Sequence, residues 1–398
     1  MKRYEVLFSG FLMTAPLFKI YGFFTASVTL ADVLLVIFLA VGLFGLIRER
    51  RFRVNWMILF YAGFVALQFL LVSLFNQTEE FSLGDVLPRT LRYVFFLTAL
   101  AILTPNFFRR ETAESVMTAV AVFATAYLFL QRGILAVTGW YLPGYLPGLP
   151  LTRPEMAQHA GALFQYDPRP RSIFEEPSHY AFYVLLVMGM ILGQETGRKR
   201  RGWLLLFLSL GIILSASSTG IIAMGALYAV WLFFSSGTIS TGKKKKRFWA
   251  AALVAAPVFG AVLWQIPAFQ VFLQRMAKGA SSAQHLGAYA ALVKLRQNVF
   301  STLLGNGMID TTTYGFLPAY CRLYYYYGIL GLLGGMVLLM YMAQKSRREY
   351  RYMGLLFLIL CVSGTELFGI QIFLIFPFLM EHPKTEKVRS LALESSVN

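Results

Sequence analysis

Apolar stretches of about 20 residues, nearly free of charge, recur along the whole chain between short polar segments. A helix of about 20 apolar residues crosses the ~30 Å hydrocarbon core of a bilayer and satisfies its own backbone polar groups. The period-two alternation of membrane strands is absent. The pattern therefore predicts an all-α polytopic integral membrane protein with about 12 transmembrane helices. The predicted spans are residues 5–24, 28–47, 54–75, 86–104, 113–137, 177–195, 203–217, 219–236, 248–266, 318–343, 352–368 and 370–380.

Two of the segments between the spans are long, and both are predicted to lie on the outer side of the membrane. Residues 138–176 are rich in Pro and Gly, which predicts turns rather than helix. Residues 267–317 interleave apolar and basic positions, which predicts short amphipathic helices on the membrane surface. No internal repeat is apparent, which argues against a symmetric transporter. Residues 1–398 are interpreted as one transmembrane domain.

The charged residues are strongly unbalanced, with 36 Lys and Arg against 19 Asp and Glu. Most basic residues fall in alternate short loops, as basic clusters do on the cytoplasmic side of a membrane. This distribution predicts that both termini are cytoplasmic and argues against nucleic-acid binding. The clusters are at residues 48–51, 198–201, 243–247 and 347–348.

The chain offers little conventional catalytic chemistry. Cys321 and Cys361 both lie in apolar segments, which argues against a disulfide framework, and the four His residues are scattered. No metal-ligand spacing or nucleotide-binding loop is present, so no metal or cofactor is expected. The one dense polar cluster runs from Arg169 to His179 and contains Arg171, Glu175 and Glu176.

This cluster has two interpretations from its residues alone. Proline at a helix start and Arg beside Glu are ordinary capping and ion pairing. Alternatively, two guanidinium groups hold a diphosphate while a carboxylate takes a proton from a hydroxyl. A cluster of this density at the outer end of a predicted span favours the second interpretation.

Arg169 followed by Glu176-Pro177-Ser178 resembles the signature of bacterial O-antigen and exopolysaccharide polymerases of the Wzy type. The resemblance covers roughly residues 90–380. Further matches follow in the family's order: Leu214-Ser215-Ala216-Ser217-Ser218-Thr219-Gly220 at a tight turn, Ser281-Ser282, Gly305-Asn306-Gly307, and Tyr327-Gly328-Ile329-Leu330-Gly331 opening the tenth span.

The resemblance implies a metal-independent glycosyltransferase in the bacterial inner membrane. Such an enzyme polymerises oligosaccharide repeats carried on undecaprenyl diphosphate, at the outer face, beside membrane lipids and with a flippase and a chain-length regulator as partners. Related O-antigen ligases carry a His-Asn pair before the Gly-rich span, whereas residues 314–318 here contain no His. A ligase, and a flippase or transporter of lipid-linked glycans, remain as alternatives.

The resemblance also implies roles for individual residues. Glu176 occupies the position of the signature Glu and is the expected general base, with Glu175 or His179 as the alternatives. The family usually has an Arg after its Ser pair, where this chain has His285, so several residues stay open as diphosphate ligands. These are Arg169, Arg171, Arg275, His285, Arg296 and Arg322. Tyr324 and Tyr325 are candidates for stacking on sugars, although Tyr is also common at membrane interfaces.

Overall fold

The computed structural model describes most of the chain in nine segments. These are residues 2–23, 25–50, 52–75, 81–153, 169–194, 198–235, 299–309, 317–362 and 364–380.

Within these segments the chain forms twelve α-helices and one two-stranded antiparallel hairpin. The helices are α1 (Lys2–Phe18), α2 (Leu30–Glu49), α3 (Trp56–Phe75), α4 (Leu83–Phe107), α5 (Arg110–Thr138), α6 (Pro177–Gly193), α7 (Arg198–Leu214), α8 (Ser218–Ser235), α9 (Val299–Leu304), α10 (Ala319–Lys345), α11 (Arg351–Leu360) and α12 (Phe376–Met380). The hairpin pairs β1 (Gly22–Phe23) with β2 (Thr25–Thr29), and short 3₁₀ turns occupy Arg348–Tyr350, Glu366–Phe368 and Ile370–Leu374.

Five of the described helices, α2, α3, α4, α5 and α10, are long and apolar enough to cross a membrane. Helices α6, α7 and α8 contain shorter apolar stretches. The prediction of a largely helical chain is therefore confirmed, and several of its described helices are long and apolar enough to cross a membrane. The number of spans and the orientation of the termini stay predictions. The predicted span 248–266 and residues 267–298 of the second long loop lie outside the described residues.

The helical segments differ from the predicted spans at both ends of the chain. The predicted span 5–24 is a helix only to Phe18, after which Gly22 begins the hairpin, whose β-branched residues favour extended backbone. The predicted span 352–368 is an α-helix only to Leu360, and a 3₁₀ turn at Glu366–Phe368 occupies its end. The predicted span 370–380 is a 3₁₀ turn followed by the five-residue α12, with Pro377 in its first turn.

Contacts between residues divide the chain into two compact units. The first contains residues 1–118 and 283–398, and the second contains residues 119–282. The boundary falls within α5, so the first turns of that helix belong to the first unit. The interpretation of residues 1–398 as a single polymerase domain stays a prediction.

In the first unit, helix α10 is broken at Gly328, whose backbone has φ 64° and ψ −164°. The break removes helical hydrogen bonds from the carbonyls of Tyr325 and Tyr326. The chain after α9 replaces them, because the N–H groups of Asn306 and Gly307 donate to these two carbonyls at 2.9 and 3.0 Å. Non-helical backbone within a membrane helix persists only where such partners are supplied.

The side chain of Gln68, on α3, completes this arrangement. It is 1% exposed, and its Nε2 donates to the carbonyls of Leu304 and Tyr326 at 2.5 and 2.8 Å. One buried amide therefore joins the end of α9 to the break in α10. The Gly305-Asn306-Gly307 and Tyr327-Gly328 motifs are therefore joined by hydrogen bonds within the first unit.

In the second unit, α6 is the central helix. Every residue from Tyr180 to Ile191 is buried, and α7 and α8 both pack against it. A helix that is apolar on all sides is stable only when it is enclosed. The start of α6 carries the polar cluster recognised in the sequence, which is thus attached to the most buried element of this unit.

Candidate active site at the start of α6

The first residues of α6 fix the position of its two neighbouring carboxylates. Pro177 is the first helical residue, where its missing N–H costs nothing and its fixed φ suits the helix. Glu176 is the N-cap with extended backbone, and its carbonyl accepts the first helical hydrogen bond, from Tyr180 at 3.2 Å. Glu175 and Glu176 are therefore the last two residues before a buried helix, which fixes the position of their backbone.

Tyr180 anchors the first turn of α6 to neighbouring helices. Its ring is fully buried, and its hydroxyl lies 2.9 Å from the hydroxyl of Thr125 on α5. A Cβ at Gly211 on α7 would overlap both of these side chains, so glycine is needed for the close approach. Phe174 packs against Tyr180 and Tyr183 from the preceding loop.

The loop before α6 is held to α5 through Ser172, a buried residue with φ 54°. Its N–H donates to Gln131 Oε1 at 2.9 Å, and its Oγ donates to the carbonyl of Ala124 at 2.6 Å. Gln131 also donates to the carbonyl of Leu142 at 2.8 Å. A side chain at Gly144 would overlap the carbonyl oxygen of Ser172, so the Pro-Gly-rich segment packs backbone to backbone against this loop.

Arg153 joins the two carboxylates. Its Nε lies 2.9 Å from Glu175 Oε1, and its Nη1 lies 2.9 Å from Glu176 Oε1. The Glu175 side chain is 6% exposed, whereas those of Glu176 and Arg153 are 45% and 56% exposed. One guanidinium thus bridges a buried carboxylate and one that faces outward, using the fork geometry that distinguishes Arg from Lys.

His179 and Ser178 contact the other oxygens of the same two carboxylates. His179 Nδ1 lies 3.6 Å from Glu175 Oε2, an ion-pair distance slightly too long for a hydrogen bond. Ser178 Oγ donates to Glu176 Oε2 at 3.2 Å. Arg153, Glu175, Glu176 and His179 are called the α6 cluster below.

The electrostatic environment of Glu176 keeps it ionised. Burial raises the pKa of this carboxyl, but the charge of His179 and the hydrogen bond and charge of Arg153 together bring it below its usual value. A carboxylate with a lowered pKa is a weaker proton acceptor. Glu176 is therefore well suited to holding a cation and less well suited to removing a proton from a hydroxyl.

Arg171 lies beside the α6 cluster and is half-buried. Its Nη1 donates to the backbone carbonyl of Glu175 at 3.4 Å. Burial raises the pKa of Tyr141, and the nearby charge of Arg171 opposes that rise, which places the Tyr141 hydroxyl next to this guanidinium. Arg169, two residues earlier, is exposed. Arg171 therefore lies beside the cluster, and the diphosphate-binding roles expected of Arg169 and Arg171 stay predictions.

The remaining predicted site residues belong to the first unit or are not described. Arg322 lies in the first turn of α10, where its Nε donates to the carbonyl of Leu317 at 2.9 Å. Tyr324 is half-buried, and Tyr325 is 4% exposed and packs against Tyr326. The buried ring of Tyr325 offers little area for stacking on a sugar. Arg275, His285 and Arg296 lie outside the described residues.

Arg153 was missed in the sequence analysis. It lies 22 residues before Glu175 in a Pro-Gly-rich segment, and a single Arg in a turn-rich loop carries no local signal of its partners. In the part of the chain that the structure describes, no three His, Cys, Asp or Glu side chains form a group able to hold a metal ion.

No protein-family model matches this chain, and no curated protein matches it.

Proposed function

We propose that this protein is a membrane glycosyltransferase that polymerises oligosaccharide repeats linked to undecaprenyl diphosphate at the outer face of the bacterial inner membrane. The observation that carries the proposal is the α6 cluster with Arg171 beside it. Carboxylates, an imidazole and guanidinium groups meet at the start of a buried helix, within the segment that resembles the polymerase signature.

The reaction needs two chemical functions that these residue types supply. The departing diphosphate must be stabilised as negative charge develops on it, and Arg does this through paired N–H donors without a metal. Arg169 and Arg171 are the residues proposed for this role, and the sequence offers Arg275, His285, Arg296 and Arg322 as further candidates. The acceptor sugar hydroxyl must lose its proton to a base within hydrogen-bond reach. Glu176, Glu175 and His179 are the candidates for that base.

The proposal depends on the cluster facing the outer side of the membrane. The alternating basic loops predict this orientation, with both termini and residues 243–247 in the cytoplasm. Cysteine introduced at position 145 should react with a membrane-impermeant maleimide in intact cells, while cysteine at position 244 should react only after lysis. Labelling at position 244 in intact cells would overturn the orientation.

A strain lacking this protein provides the direct test of function. A missing polymerase leaves single repeats on lipid at the outer face. Purified protein in lipid nanodiscs should then convert that accumulated material into longer lipid-linked chains without added metal. Long polymer that is not transferred to its final acceptor would indicate a ligase, and repeats trapped on the cytoplasmic side would indicate a flippase. Either result would remove the polymerase proposal.

A further inference from the structure

Within the α6 cluster, the two carboxylates differ in what occupies their oxygens. Both oxygens of Glu176 are engaged, Oε1 by Arg153 and Oε2 by Ser178. Glu175 is also held by Arg153 through Oε1, but its Oε2 faces the ring of His179. The buried carboxylate is thus directed at an imidazole, and the exposed one is directed at a hydroxyl and a guanidinium.

A carboxylate placed against one nitrogen of a His orients the ring and stabilises the imidazolium that forms when the other nitrogen takes a proton. The separation of 3.6 Å between His179 Nδ1 and Glu175 Oε2 closes to a hydrogen bond with a small side-chain rotation. Such hydrogen bonds are often long before substrate binds. The Nε2 atom, on the other side of the ring, is then the proton-accepting atom.

We propose that His179 accepts the proton of the acceptor hydroxyl, and that Glu175 and Arg153 are the residues that position it. This inference rests on the proposed glycosyl transfer. In that step the hydroxyl oxygen bonds to the anomeric carbon of the donor. The bond from that carbon to the diphosphate oxygen breaks, its electron pair leaves with undecaprenyl diphosphate, and the hydroxyl proton passes to His179 Nε2 and then to water.

The surroundings of His179 suit this role. Among the described residues, the charged groups beside it include Glu175, at its Nδ1, and Glu176, and Arg153 holds both carboxylates. The side chain is 18% exposed, so a bound sugar is able to reach it. The resemblance to the polymerase signature makes Glu176 the expected base, whereas the geometry pairs that carboxylate with Arg153 and Ser178.

The experiment compares five variants with the wild-type protein in nanodiscs, by the rate of chain extension of the lipid-linked repeat across pH. His179→Gln should lower the rate by roughly 10²-fold or more at neutral pH, because an amide at this position does not accept the proton. Glu175→Gln should lower the rate less, and should move the acid limb of the pH profile to lower pH because the imidazolium loses its counter-charge. Arg153→Lys should retain more activity than Arg153→Ala. His382→Gln, in the carboxy-terminal tail, is the matched control.

Folding is checked for each variant by size-exclusion chromatography and thermal denaturation in detergent. A folded His179→Gln protein that extends chains at the wild-type rate would overturn the inference, as would an acid limb that stays in place in Glu175→Gln. Both results presuppose that the wild-type protein makes polymer. A wild-type protein that extends no lipid-linked repeat contradicts the proposed function itself, so the two failures are distinguishable.

Discussion

The start of α6 and the break in α10 both bring polar groups against buried apolar helix residues, and they satisfy those groups differently. At the start of α6 the groups are charged side chains paired with one another, and Arg153 and Glu176 keep about half of their side-chain surface exposed. At the break they are backbone carbonyls, bonded to backbone N–H groups and to a Gln68 side chain that is 1% exposed.

The difference supports placing the proposed chemistry at the α6 cluster rather than at the break in α10. Charged groups in contact with water change partners and protonation state at modest cost, whereas a buried neutral group that loses its partner is left with a desolvation penalty of about 1–3 kcal/mol. The exposed charged groups of the α6 cluster are therefore able to exchange their partners at modest cost. The buried hydrogen bonds at the break in α10 are costly to lose, so substitutions there should mainly lower the stability of the folded protein.

The largest effect is expected from Gly328→Ala at the break. A Cβ at this position would overlap the backbone of Leu303, and φ of 64° is unfavourable for any residue with a side chain. The variant should lose several kcal/mol of stability and give little folded protein, measured as the monodisperse fraction in detergent.

Gly334→Ala on the same helix is the matched control for this change. A Cβ there meets nothing within 4 Å, and Ala is the better helix former, so stability should be unchanged or higher. If Gly328→Ala is as stable as Gly334→Ala, the break in α10 does not constrain the fold. The proposed difference between the break and the α6 cluster is then wrong.

A smaller loss is expected from Gln68→Leu, which keeps the approximate volume of the side chain but removes both donors. The carbonyls of Leu304 and Tyr326 would each lose a buried hydrogen bond, for a total cost of about 2–4 kcal/mol. The melting temperature in detergent should fall, and the activity per folded molecule should be retained. Leu67→Met, on the exposed side of α3, should leave the melting temperature unchanged.

The smallest effect on stability is expected at the α6 cluster, from Glu176→Gln. Because the folded-state pKa of Glu176 is below its ordinary value, its ionised form stabilises the protein above the ordinary carboxyl pKa, about 4.3. That contribution is lost as the pH falls through the lowered folded value. The melting temperature of Glu176→Gln should be slightly below wild type at pH 7, and the difference should shrink as the pH falls below the ordinary carboxyl pKa. A difference that does not change with pH would contradict the ion pair with Arg153.

The polar cluster before α6 was predictable from the sequence because its members are adjacent: Arg169, Arg171, Glu175, Glu176 and His179 lie within eleven positions. Their division of roles was not predictable. Glu175 and Glu176 are chemically identical neighbours, and only packing buries one beside His179 and exposes the other. Arg153, from a segment with no helical or strand pattern, was not recognisable as their shared partner.

The sequence by itself determined the helical membrane character of this protein. In lipid, the backbone polar groups of a long apolar stretch must bond to one another, and a helix achieves this within one segment. The sequence also determined the position of a polar cluster at the edge of one such stretch. The tertiary structure alone decided that α10 is broken at Gly328, that Gln68 and residues 306–307 supply the missing hydrogen bonds, and that Arg153 reaches both carboxylates. The physical reason is the separation along the chain. Hydropathy is a property of neighbouring residues, whereas hydrogen bonds and ion pairs join atoms from distant segments that the fold brings together.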